Sequence, residues 1–130
     1  MKIGLFTATY LDLPLEEVCK MAADLGYQAV EVPAFAGNPH VDIEEVVKGS
    51  KAAELKKLVN SYGLIISALA NHPEGQIVLG PYVKDTDAIF KGTMDEKIKF
   101  GTERMIKTAQ AANALEVPVV TGFIGCENFG

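Results

Sequence analysis

Long apolar runs are missing from this chain, and so are a basic face, a cysteine framework and a nucleotide loop. Each absence closes a class of function. The apolar stretches are too short to cross a bilayer, so no membrane partner is expected. Acidic residues outnumber basic ones, 17 against 12, for a net charge of −5 and a pI of about 5.0. A partner gripped through its phosphates needs a basic face, so no nucleic acid is expected either. Only two cysteines occur, Cys19 and Cys126, without metal or redox spacing, which suits a reducing compartment. There is no Walker A loop and no complete G-x-G-x-x-G stretch. A serine elbow and a Cys–His pair arranged by spacing are absent as well. The N-terminus reads as a strand, not as a charged segment leading into a long apolar one, and a cytoplasmic location is expected.

What remains is an ordinary globular composition, 48% hydrophobic and 22% charged over 130 residues. That length predicts one domain able to bury a core. Three joints repeat along it: Leu25-Gly26-Tyr27-Gln28-Ala29-Val30-Glu31, Tyr62-Gly63-Leu64-Ile65-Ile66-Ser67-Ala68 and Leu115-Glu116-Val117-Pro118-Val119-Val120-Thr121. Each closes a helical pattern and opens a short apolar strand. With an opening strand at 2–6, they predict four parallel strands and three main helices in an α/β chain. A (β/α)8 barrel needs ~250 residues and eight such units. Residues 1–130 are therefore read as a single, incomplete domain, the N-terminal half of such a barrel. The end at Gly130, in a glycine-bounded loop after the fourth strand, reads as an interruption.

The first helix is expected from about Pro14 to Leu25, with Glu16 and Glu17 at its positive end and an apolar stripe of Leu15, Val18, Cys19, Ala22 and Leu25. Gly26 supplies a left-handed ending. A short helix starts at Asp42, with Glu45 at capping-box distance, and another spans Ser50 to Tyr62. The longest runs from Met94 to Leu115 behind a Thr93/Glu96 capping box, burying Ile98, Met105, Ala109, Ala112 and Leu115. Glu116 stands where the other two joints have glycine. Pro118 is placed as the first residue of its strand. The strands read as continuous apolar runs, as expected where both sheet faces are covered.

Long loops at 33–42 and 70–92 follow strand C-termini, the catalytic side of a parallel barrel. Glu31 is the sharpest candidate, read at the end of the second strand between two valines, where a carboxylate reaches a ligand over the mouth. The plainer alternative pairs it with a neighbouring strand's lysine or backbone N–H. In Asn71-His72-Pro73, the histidine suits a hydrogen bond to a sugar hydroxyl, a proton shuttle or metal ligation, while the same residues also make a plain turn. His40 and Asp87 lie in the two loops as pocket rim or lid, or simply as solvated residues. In Thr121-Gly122-Phe123-Ile124-Gly125, the glycines suit a backbone approach to a ligand and Phe123 suits packing against a sugar ring, unless this is only a tight turn.

With these residues in place, the chain resembles the N-terminal half of the xylose-isomerase-like barrel superfamily, and within it the sugar phosphate isomerase/epimerase group. The stretches that carry the likeness are Met1-Lys2-Ile3-Gly4-Leu5-Phe6-Thr7, Leu25 through Pro33, Gly37-Asn38-Pro39-His40-Val41-Asp42, Ile66 through His72, Asp87 through Thr93, and Val117 through Phe123. The resemblance implies an enzyme that moves a proton between sugar carbons through an enediolate. A divalent metal (Mn2+, Mg2+, Co2+ or Zn2+) holds two adjacent substrate oxygens. In that group two Glu, one Asp and one His from later strands bind the metal, and those positions fall beyond residue 130. No catalytic residue and no metal ligand is therefore assigned here, Glu127 included, and this chain alone is expected to bind no metal. What the resemblance transfers is the substrate side: Glu31, Asn71, His72 and Phe123, with His40 and Asp87 at the rim.

The expected partners are a sugar or polyol and either the missing C-terminal half-barrel or a second copy meeting the open sheet edges. The alternative is a non-catalytic α/β binding or assembly module. A third reading, the related endonuclease-IV-like DNA repair branch, is opposed by the net charge and by the lack of a basic loop at any strand end.

Overall fold

Four short strands lie side by side in chain order, all parallel: β1 (Gly4–Phe6), β2 (Ala29–Pro33), β3 (Ile65–Ala70) and β4 (Val120–Thr121). The computed structural model describes residues 1–125, so Cys126, Glu127 and Gly130 lie outside the described residues. The helices are α1 (Leu15–Asp24), α2 (Ile43–Lys48), α3 (Ser50–Ser61), α4 (His72–Gln76) and α5 (Met94–Ala114). A parallel pair needs a crossover between its strands, and α1, α2–α3 and α4–α5 fill the three connections. The result is the α/β arrangement of half a (β/α)8 barrel.

The three joints close in one way. After each of α1, α3 and α5, a backbone N–H reaches back five residues, from Tyr27 to Ala22, from Leu64 to Val59 and from Val117 to Ala112. This six-to-one closure requires a left-handed residue just before that donor. Gly26 and Gly63 take it at φ 84° and 71°. Glu116 takes it too, at φ 57°, despite its side chain. Its carboxylate is paired with Lys56 of α3, which ties the unfavourable residue into the fold.

Alternate strand positions sort the two sheet faces. Val30, Val32 and Leu69, with Leu5, Ile66 and Val120, join Leu15, Cys19 and Ala22 of α1, Val59 of α3, and Ala111 and Ala112 of α5 in the hydrophobic core. Burial, and secondarily the Glu16 charge, push the Cys19 thiol up to about 11, which leaves it an unreactive core residue. The opposite face carries Phe6, Glu31 and Ala68 in register, with Ala70 opposite Thr121, and none of these belongs to the core cluster. The helices of the core cluster pack on the first face; on the opposite one Ala29, Pro33, Ala68 and Ala70 are also buried, while Phe6, Glu31 and Thr121 stay part-exposed.

Several local expectations shift. Leu25 caps α1 and is 69% exposed, so it leaves the apolar stripe. Asp42 caps α2 by accepting from the Glu44 and Glu45 N–H groups, but Glu45 turns to Lys48 instead of closing a box. The Thr93/Glu96 box is complete. On α5 the buried positions are Lys97, Gly101, Thr108, Ala111 and Ala112, while Ala109 is exposed and Ile98 and Met105 are half-buried. Pro118 precedes β4 by two residues instead of opening it. The stretch 70–92 is not an open loop: it contains α4 and a 3-10 turn at Lys84–Ala88.

Candidate functional site

The open sheet face gathers polar and aromatic groups near the strand C-termini. Glu31 is the third of five residues in β2, short of the strand end where it was expected. Its Oε1 accepts a 2.6 Å hydrogen bond from the Thr121 hydroxyl, at the end of β4. β3 lies between them, and the positions it presents there are Ala68 and Ala70. Two methyl groups leave room for a carboxylate to reach across a whole strand, which a larger residue would block. Neither plain alternative, a lysine or a backbone N–H, is the partner found.

Beside this pair stands an aromatic row. The His72 ring meets Phe123 edge-on at 4.7 Å and Phe6 at 6.1 Å. Phe6 is the register partner of Glu31, so the row and the carboxylate share one face. Among the described residues, aromatic edges are the contacts of the His72 ring, and Phe123 is 57% exposed. Both offer contact area to a ligand.

Glycines hold the row in place, although not in the way expected. Their lack of a Cβ is what the packing uses. A Cβ on Gly75 of α4 would collide with the Phe123 carbonyl, and one on Gly122 would come within 2.8 Å of the Asn71 carbonyl. The β4 loop is pressed backbone to backbone on α4, fastened by the Asn71 N–H to the Thr121 carbonyl and the Leu79 N–H to the Ile124 carbonyl, both 2.8 Å.

Three candidates prove to be framework. Asn71 is fully buried, and its amide N–H2 donates to Glu74 (2.6 Å) and Thr108 (2.9 Å), which ties it to α4 and α5, while its Oδ1 has no partner among the described residues. His40 is buried, with Nδ1 at 2.9 Å from the Thr7 hydroxyl and Nε2 at 2.9 Å from the Leu13 carbonyl. A carbonyl only accepts, so Nε2 carries the proton and the ring clamps the segment after β1 to the loop after β2. Asp87 is paired at 2.6 Å with Lys97, whose buried ammonium also donates to Thr86 and the Val83 carbonyl. The 3-10 turn is thereby bolted to α5, which is the opposite of a free lid.

The sequence reading missed the largest polar assembly. Glu74 is buried and accepts from the Ala36 N–H (2.9 Å), the Asn71 amide and Arg104 Nε (2.7 Å). Arg104 continues to Glu44 at 2.9 Å, and Lys107 meets both Glu44 oxygens. The Lys107 hydrogen bond leads the causes that hold the Glu44 carboxyl below its ordinary range. This chain of charges joins the loop after β2 to α2, α4 and α5. Its sequence signal was the spacing 97, 101, 104, 108 on α5, a helical stripe disguised by polar side chains.

An apolar cleft of about 430 Å3 between α2 and α3 is lined by residues such as Val46, Leu55 and Leu58 and shares none with Glu31, His72 or Phe123. Among the described residues, no three His, Cys, Asp or Glu side chains converge as metal donors. Compared with the models of known protein families and with curated proteins, the chain matches none. No helix among the described residues is long and apolar enough to cross a membrane.

Proposed function

We propose that this chain is the substrate-facing half of a sugar or sugar phosphate isomerase or epimerase of the xylose-isomerase-like type. The observation that carries the reading is the Glu31–Thr121 pair beside the Phe6–His72–Phe123 row, on the open face of a parallel sheet near its strand C-termini. Active sites of parallel barrels are built at that end. A carboxylate and a hydroxyl suit adjacent sugar hydroxyls, which both donate and accept, and aromatic edges suit the carbon face of the ring. In this reading Glu31 and His72 hold and orient the substrate. The proton-transferring carboxylates and a divalent metal belong to the other half of the barrel. That half, or a second copy of this chain, covers the face on which Phe123, Ile65 and Val119 are exposed. The chain is assigned to the cytoplasm on the same reading.

A ligand titration followed by 1H–15N NMR tests it. D-fructose is expected to move the amide signals of Phe6, Glu31, His72, Thr121 and Phe123, with no turnover by this chain alone. Shifts confined to the α2–α3 cleft would overturn the placement of the site.

A further inference from the structure

We propose that the mouth formed by this chain takes an uncharged polyhydroxyl portion of its ligand and disfavours a phosphate group there. The inference rests on the sugar reading above and narrows its substrate class.

The cations of α5 that approach the strand ends are already engaged. Arg104 is 11% exposed at its side chain and is held by Glu74 and Glu44. Lys107 is held by Glu44, and Lys97 is buried against Asp87. Freeing any of them for a phosphate would strand a carboxylate, Glu74 being the worst placed at 4% exposure. Three backbone donors near the row are engaged as well: Asn71 N–H on Thr121, Leu79 N–H on Ile124 and Ala36 N–H on Glu74. Pro73, the residue after His72, has no N–H to offer.

The carboxylate beside the row is that of Glu31. Glu31 is half-buried with a single hydroxyl as its partner in the described residues. A phosphate placed here would bring ~1.5–2 negative charges next to a carboxylate, while Arg104, Lys107 and Lys97 are committed to other carboxylates. A neutral hydroxyl loses nothing comparable, because the Glu31 carboxylate accepts from it directly. Lys84 and Lys91 are exposed on the segment leading to α5, and neither has an ion pair among the described residues.

The test compares D-fructose with D-fructose 6-phosphate on the whole 130-residue chain, by NMR titration at about 0.02 M and about 0.5 M NaCl. Expected are shifts at Phe6, Glu31, Thr121 and Phe123, with the neutral sugar bound about tenfold more tightly at low salt. The gap should shrink at high salt and in Glu31→Gln, where the repulsion is screened or removed. Equal or tighter binding of the phosphate at these residues would overturn the proposal and leave the sugar reading standing. Binding of the phosphate lost in Lys84→Ala/Lys91→Ala would point to those two lysines. Shifts by neither compound at these residues would overturn both.

Discussion

Glu31 and Glu74 are carboxylates on β2 and on α4 just after β3, and they do opposite things. Glu74 is buried, with both oxygens engaged by a backbone N–H, an amide and a guanidinium. Glu31 is half-buried and holds one hydroxyl. The two histidines divide in the same way. His40 has both ring nitrogens occupied, whereas His72 lies between two phenylalanine edges. A polar side chain whose lone pairs and N–H groups are all matched internally is framework, and one left partly unmatched on an open face is available to a ligand. Residue type alone does not separate the two classes.

Breaking the framework side should have the largest effect. Arg104→Ala leaves Glu74 and Glu44 without their shared cation, and removing one partner of a buried pair costs about 3–5 kcal/mol. Urea unfolding should show that loss as a large drop in midpoint. A midpoint within experimental scatter of the parent would mean the network is solvated and the comparison fails.

Gly75→Ala sits at the junction of the two regions. The added methyl meets the Phe123 carbonyl and lies near the Met105 sulfur, so about 1–3 kcal/mol of stability should be lost through overpacking. The β4 loop must move to accommodate it. Sugar-induced shifts at Phe123 should therefore vanish while those of a remote core residue such as Val18 stay unchanged. Preserved shifts at Phe123 would separate the loop's position from its packing on α4.

On the open side the stability effects should be the smallest. Glu31→Gln keeps the shape and an acceptor for Thr121, and Thr121→Val removes the donor. Each is expected to move the unfolding free energy by no more than about 1 kcal/mol. Both should weaken sugar binding several-fold. A stability loss matching that of Arg104→Ala would turn Glu31 into a second framework carboxylate.

Much of the fold was legible. The three joints, the capping box at Thr93 and the apolar stripe of α1 all rest on neighbours within a few residues. The reading faltered on α5, where hydrophobicity picked Ala109 although the structure buries Lys97, Gly101 and Thr108. It faltered again on Asn71, His40 and Asp87, whose partners lie 37, 33 and 10 residues away. For the Gly122–Gly125 stretch, a backbone approach to a ligand and a tight turn both stayed open, because the chain it packs against, at Gly75, cannot be seen from local spacing.

By itself the sequence determined the order of helices and strands, their caps and the parallel α/β class, because those follow from backbone chemistry and periodicity over short stretches. Glu31 and His72 also stood out in it, as polar residues beside apolar runs. Only the tertiary structure decided which polar groups are matched. Whether a carboxylate finds Arg104 or only the Thr121 hydroxyl depends on elements brought together from distant parts of the chain, and on two alanines small enough to let Glu31 reach across β3.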